Sequence, residues 1–176
     1  PPMTSNHTRL LALLSAIVVA AALRLVPHPP NFTPIGAMAL FGGAYFGRQA
    51  LAFAAPLGAM LLSDAILGFH PYMWATYLSV LLIVLIGWTV ARRITPLRIG
   101  GGAIAGSVVF FLLTNFSVWL GSSVYQQTAA GLAACYVAAI PFFQNTLAGD
   151  LFYSALLFGG FALLERIVPQ LRPQTA

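Results

Sequence analysis

The sequence predicts an all-α integral membrane protein, a bundle of six helices forming a single transmembrane domain over residues 1–176. Composition is the first reason. Of the 176 residues 60% are hydrophobic and only 6% are charged, and the mean hydropathy is +0.89, a balance outside the range of soluble domains. The second reason is segmentation: turn residues and arginines divide the chain into apolar stretches at about residues 10–26, 34–46, 50–68, 73–91, 99–121 and 146–164. The third is the placement of the eight arginines that produce the net charge of +5 in a chain without lysine. With six crossings, Arg9, Arg48, Arg92, Arg93, Arg98, Arg166 and Arg172 fall on one side and Arg24 alone on the other. That asymmetry predicts both termini in the cytoplasm. One crossing more or fewer would split the same arginines almost evenly.

The first span, Leu10 to Val26, lacks a small-residue cleavage site followed by a soluble domain and reads as a retained helix. Ala12, Ala16 and Ala20 form a small-residue stripe along one face, suited to close docking of another helix. Arg24, His28 and the prolines Pro27, Pro29 and Pro30 follow as a stiff, extended connector. The rest of the chain reads as organised around the next element, NFTPIGAMALFGGAYF from Asn31 to Phe46. Pro34 is suited to the first helical position and Thr33 to capping it. Gly36, Ala37, Ala39, Gly42, Gly43 and Ala44 let neighbouring backbones approach. At about 1.5 Å per residue this helix is only about 20 Å long, short for a span.

Gly47 to Gln49 breaks the chain, and Ala50 to Gly68 forms the third span, with a kink expected at Pro56 and Gly58. His70 and Pro71 end it. Met73 to Ala91 is the fourth span, with Trp74 and Tyr77 in interfacial-belt positions. Ile99 to Gly121 is the fifth. The segment from Ser122 to Asn145, interrupted by Pro141, reads as a partly helical outer cap between helices 5 and 6. Thr146 to Leu164 is the sixth span, and no tandem repeat is present.

Under this topology Asp64, Asn115 and Asp150 lie toward the outer ends of their spans, joined by Asn31, His70, Gln144 and Asn145 in the outer connections. A carboxylate at mid-membrane costs roughly 2.5 to 3.5 kcal/mol, so two at similar depth call for an explanation. An outward-facing polar cavity is one. The other is structural: each carboxylate caps a helix or pairs with Arg24. Asn115 and Trp119, four residues apart, share a helix face and offer an amide beside a ring to a flat ligand, or else serve interhelical bonding and belt anchoring. His70 and the lone Cys135 are the only soft or borderline ligands on that side, too few to predict a metal site. Cys135 reads as a small core residue and His70 as a helix-end residue. One cysteine excludes an internal disulfide and a thiolate cluster within the chain. No nucleic-acid motif, resident cofactor, nucleophile–base pair or phosphate loop is evident, so catalysis by Asp64 or Asp150 ranks last.

The six short spans, the stripe at Ala12, Ala16 and Ala20, and the polar outer mouth resemble the substrate-binding S component of energy-coupling factor vitamin transporters. The segments NFTPIGAMALFGGAYF, MLLSDAILGFH, TNFSVWL and PFFQNTLAGDLFYSALLFGG resemble an uncharacterised, S-component-like family of bacterial membrane proteins, over Leu23 to Glu165. The resemblance implies a protein of the bacterial inner membrane that binds a small water-soluble vitamin, cobalamin first, from the outer side. It also implies a transmembrane coupling subunit with ATPases as partner, docked on the alanine stripe. The competing expectation is an accessory subunit of a larger membrane complex with no ligand of its own.

Overall fold

Which helix occupies the centre is decided by small side chains. The computed structural model describes residues 3–172, with side chains from residue 7. It contains α1 (Met3–Leu23), α2 (Ile35–Phe46), α3 (Leu51–Leu67), α4 (Met73–Ala91), α5 (Pro96–Gly121), α6 (Ala129–Ile167) and a 3₁₀ turn at Pro169–Leu171. Among the described residues there is no strand. Every residue of α2 except Tyr45 is buried, and α2 packs against all five other α-helices.

Glycine makes this possible at one crossing in particular. A Cβ on Gly43 would lie 2.2 Å from the Val84 carbonyl oxygen, and one on Gly87 would lie 2.6 Å from that of Leu40. Thus α2 and α4 meet backbone to backbone. In lipid, where tails are as apolar as leucine, this close packing holds helices together. Gly42 likewise faces Ala52 and Pro56 of α3. Pro56 is accommodated within one continuous helix, Leu51–Leu67.

The shortness of α2 follows from its enclosure. At about 1.5 Å per residue it reaches only about 18 Å, but its first turn rests on Asp150 of α6. Irregular backbone is tolerated at membrane depth where protein covers it. The expected Thr33 cap is not made: Pro34 occupies the N-cap position and no side chain caps from there. The acceptor comes from α6, where Asp150 takes hydrogen bonds from the backbone amides of Gly36 and Ala37. A carboxylate at a helix N-terminus satisfies orphan donors and complements the dipole.

The outer cap is corrected by the structure. Residues 129–145 belong to α6, a single helix of 39 residues that continues through Pro141. Thr128 starts it, its hydroxyl accepting from the Gly131 amide at 3.1 Å. At about 58 Å, α6 is far longer than a ~30 Å hydrocarbon core. Its first half therefore walls the mouth of the bundle as helix. The first span also begins earlier than expected and ends at Leu23, just before Arg24.

By length and composition α4, α5 and α6 can each cross a membrane, while His7–Leu23, α2 and α3 are shorter apolar helices. Large apolar side chains such as Leu62, Ile66, Leu97 and Ile167 face outward. At one end of the bundle α1, α3 and α5 finish and α4 and α6 begin, as shown by Arg24 meeting Asp64, Tyr72 meeting Gly121 and Cys135 meeting Asn115, while α2 begins against the middle of α6, where Phe32 meets Gly149. At the other end Arg9 of α1 pairs with Glu165 of α6 and bonds the Leu171 carbonyl. Arg98 at the start of α5 donates to the Thr89 carbonyl of α4 at 3.3 Å.

Candidate functional site

The end bearing Arg24 opens into a cavity of about 340 Å³. Five of the six helices and the connectors before α2 and α4 contribute to its wall. Its charged feature grows from two helix ends. Gly68, with φ of +98°, stops α3 and its amide bonds the Asp64 carbonyl at 2.8 Å. Arg24 stands just past the last turn of α1, where a cation complements the helix dipole. Its Nη2 donates to Asp64 Oδ1 at 2.7 Å, and its Nη1 bonds the Ser63 hydroxyl. Tyr77 donates to the other carboxylate oxygen at 3.0 Å. Asp64, only 5% exposed, is thus paired and hydrogen-bonded, as a buried charge requires.

The opposite wall belongs to α5 and α6. Phe111, Thr114, Asn115 and Val118 lie on one stripe of α5, and Ala139, Phe142, Phe143 and Thr146 on one stripe of α6. These are three- and four-residue spacings, the signature of a single helix face. Phe111 and Phe143 meet across the two helices with ring centroids 4.9 Å apart. The cavity therefore combines flat apolar surface with a few oriented polar groups, as small-molecule sites do.

Four of the eight residues expected to bind come together here: Asn31, Asp64, His70 and Asn115 line the cavity. The remaining four are elsewhere. Asp150 is 3% exposed and lies beneath the α2 N-terminus, receiving the Ser107 hydroxyl at 2.6 Å. Its place is structural because the α2 amides claim it. Trp119 is absent from the wall; its indole N–H bonds the Gln126 carbonyl at 2.9 Å, tying α5 to the following loop. Asn145 donates to the Pro30 carbonyl at 2.9 Å, and Gln144 is exposed outside the cavity. Cys135 is buried with Sγ against the Asn115 carbonyl, 3.5 Å away. Among the described residues no group of three or more His, Cys, Asp or Glu could hold a metal ion.

Sequence reasoning noted Arg24 only as a possible partner for a carboxylate. It read Thr33 as a helix cap and not as a cavity residue, and it gave Tyr72, Thr76, Thr114 and Thr146 no part in a site. The α5 and α6 stripes were readable as periodicity, but treating residues 129–145 as a surface cap hid the second. The alanine stripe lies in a separate apolar groove of about 420 Å³ between α1 and α6, where Ala12, Ala16 and Ala20 face Tyr153, Leu157 and Phe161.

With this geometry in view, the comparison with known families is decisive at one level. The sequence model described as "Family of unknown function (DUF6580)" matches residues 4–171. The chain belongs to DUF6580. No curated protein matches it, and no solved structure does. For this DUF6580 chain the cavity and its wiring are the functional evidence.

Proposed function

We propose that this DUF6580 protein is a multi-pass membrane binding component that captures a small water-soluble vitamin or related micronutrient from the extracytoplasmic side. The observation that carries this reading is the 340 Å³ cavity of mixed aromatic and polar lining. It opens at the bundle end opposite seven of the eight arginines. Under the positive-inside rule the cavity faces outward and both termini are cytoplasmic, in a bacterial inner membrane. Its volume sits at the low end of the roughly 300–1,000 Å³ typical of ligand sites. A cavity of that size suits a small vitamin, and cobalamin, the first expectation, belongs to the panel that tests it. Equilibrium titration of the purified protein with a panel of vitamins tests the proposal. Saturable binding that Asp64→Asn weakens supports it; a flat response across the panel sinks it.

The groove along Ala12, Ala16 and Ala20 supports two companion readings. In one it seats a transmembrane coupling subunit with ATPases, completing a transporter. In the other the protein is an accessory subunit with no ligand. Stable co-purification with a membrane complex, lost on Ala16→Leu and combined with an unresponsive cavity, would favour the second.

A further inference from the structure

Resting on that binding reading, we infer that the ligand presents hydrogen-bond donors to the α5–α6 wall: it is a small, flat nitrogen heterocycle bearing N–H groups, uncharged or singly positive. The argument is an inventory of protons. Thr114 Oγ1 donates to the Phe110 carbonyl at 2.7 Å and Thr146 Oγ1 to that of Phe142 at 3.2 Å. Ser117 Oγ donates to the Thr114 carbonyl at 2.7 Å. The Asn115 amide N–H is directed at the Phe111 carbonyl at 2.8 Å, which fixes the amide, since turning it over would set two oxygens face to face. Each hydroxyl carries one proton, and each of these is spent on the backbone of its own helix. What remains for a guest is chiefly lone pairs, the second N–H of the Asn115 amide being the one donor that these four side chains keep.

The charged corner gives the same answer. Arg24 is the cation of this cavity, and three of its five N–H groups are engaged by Asp64, Ser63 and the Met60 carbonyl. An anion would have to share the guanidinium with Asp64 and lie beside that carboxylate. A neutral or singly positive guest meets no such penalty. Flatness follows from the rings of Phe110, Phe111, Phe142 and Phe143 in the same wall, which present faces and edges to a planar partner. Asn31, Thr33, Thr76 and His70, on the other side of the cavity, remain to serve the ring nitrogens of such a heterocycle. An amino-substituted ring has both edges in one plane.

The test uses the full chain in detergent micelles and three probes of one size: a diaminopyrimidine, the dimethylpyrimidine of the same substitution pattern, and orotate as a carbonyl-rich anion. Dissociation constants come from ligand-observed NMR. The diaminopyrimidine should bind saturably and about tenfold or more tighter than the methyl analogue, the scale of one or two hydrogen bonds. Thr114→Val and Asn115→Leu should each weaken it several-fold, while Ser154→Ala, outside the cavity, should not. Equal binding of the two pyrimidines, or tighter binding of orotate, overturns the donor assignment and leaves the cavity reading standing. Should no probe bind at millimolar concentration and the vitamin panel also stay flat, both fall. The probe comparison needs no variant, so a misfolded mutant does not obscure the result.

Discussion

Asp150 and Gly36 occupy adjoining space so tightly that a Cβ on residue 36 would lie 2.4 Å from the Asp150 carboxylate oxygen. The missing side chain lets a carboxylate from α6 reach the open amides of α2, and so sets the height of the central helix beneath the cavity that Ile35 helps to line. Gly36→Ala should therefore destabilise the protein by about 1–3 kcal/mol, the range for overpacking. Asp150→Asn, which keeps an acceptor oxygen, should be milder than Asp150→Leu. Thermal unfolding in micelles measures all three, and an unchanged midpoint for Gly36→Ala would refute the contact.

Arg24 and Asp64 make a second, separable prediction. Both side chains are largely buried, at 11% and 7% exposed, so removing one partner strands the other charge. Arg24→Met or Asp64→Leu alone should cost about 3–5 kcal/mol, and the double variant much less than the sum. Additive losses in that cycle would show that the ion pair is not coupled.

Glycines in helices divide into two kinds. Gly43 and Gly87 have neighbouring backbone within 3.0 Å of an added Cβ, whereas Gly100 and Gly159 have nothing within 4 Å. Gly87→Ala should lower the unfolding midpoint, while Gly100→Ala and Gly159→Ala should be neutral or stabilising by up to about 1 kcal/mol through helix propensity. The same direction of change at all three sites would contradict the α2–α4 crossing.

Orientation is open to chemistry because Cys135 is the single cysteine. In a Cys135→Ala background, Thr76→Cys should react with a membrane-impermeant maleimide added outside intact cells. Arg93→Cys should react only after the membrane is opened. The reverse pattern would invert the topology and remove the uptake reading.

The Arg9–Glu165 pair joins the first and last helices at the far end. Glu165→Gln should loosen that end without touching the cavity, so ligand affinity should stay constant while hydrogen exchange of residues near Arg9 rises. A fall in affinity of the same size as for Asp64→Asn would mean the two ends are coupled.

The helical class, the positions of most helices and the central element were legible in the sequence, because hydropathy and small-residue spacing are local properties. A stretch such as IGAMALFGGAYF can be recognised as a closely packed helix without knowing its neighbours. Asp64 and Asn115 were found because polar groups stand out in an apolar chain, and Arg24 was weighed as a carboxylate partner for the same reason. What the sequence could not decide was which polar groups meet. Asp64 and Asp150 look alike in one dimension, yet one pairs with an arginine at a cavity wall and the other caps a helix from a neighbouring element. That choice depends on helix rotation and on the absent Cβ of Gly36. The continuity of α6 through Pro141 was likewise settled in three dimensions, where contacts such as Phe111 with Phe143 and Cys135 with Asn115 hold its first half against α5. Local pattern determined what kind of helices this chain makes; only their packing determined which side chains share a space.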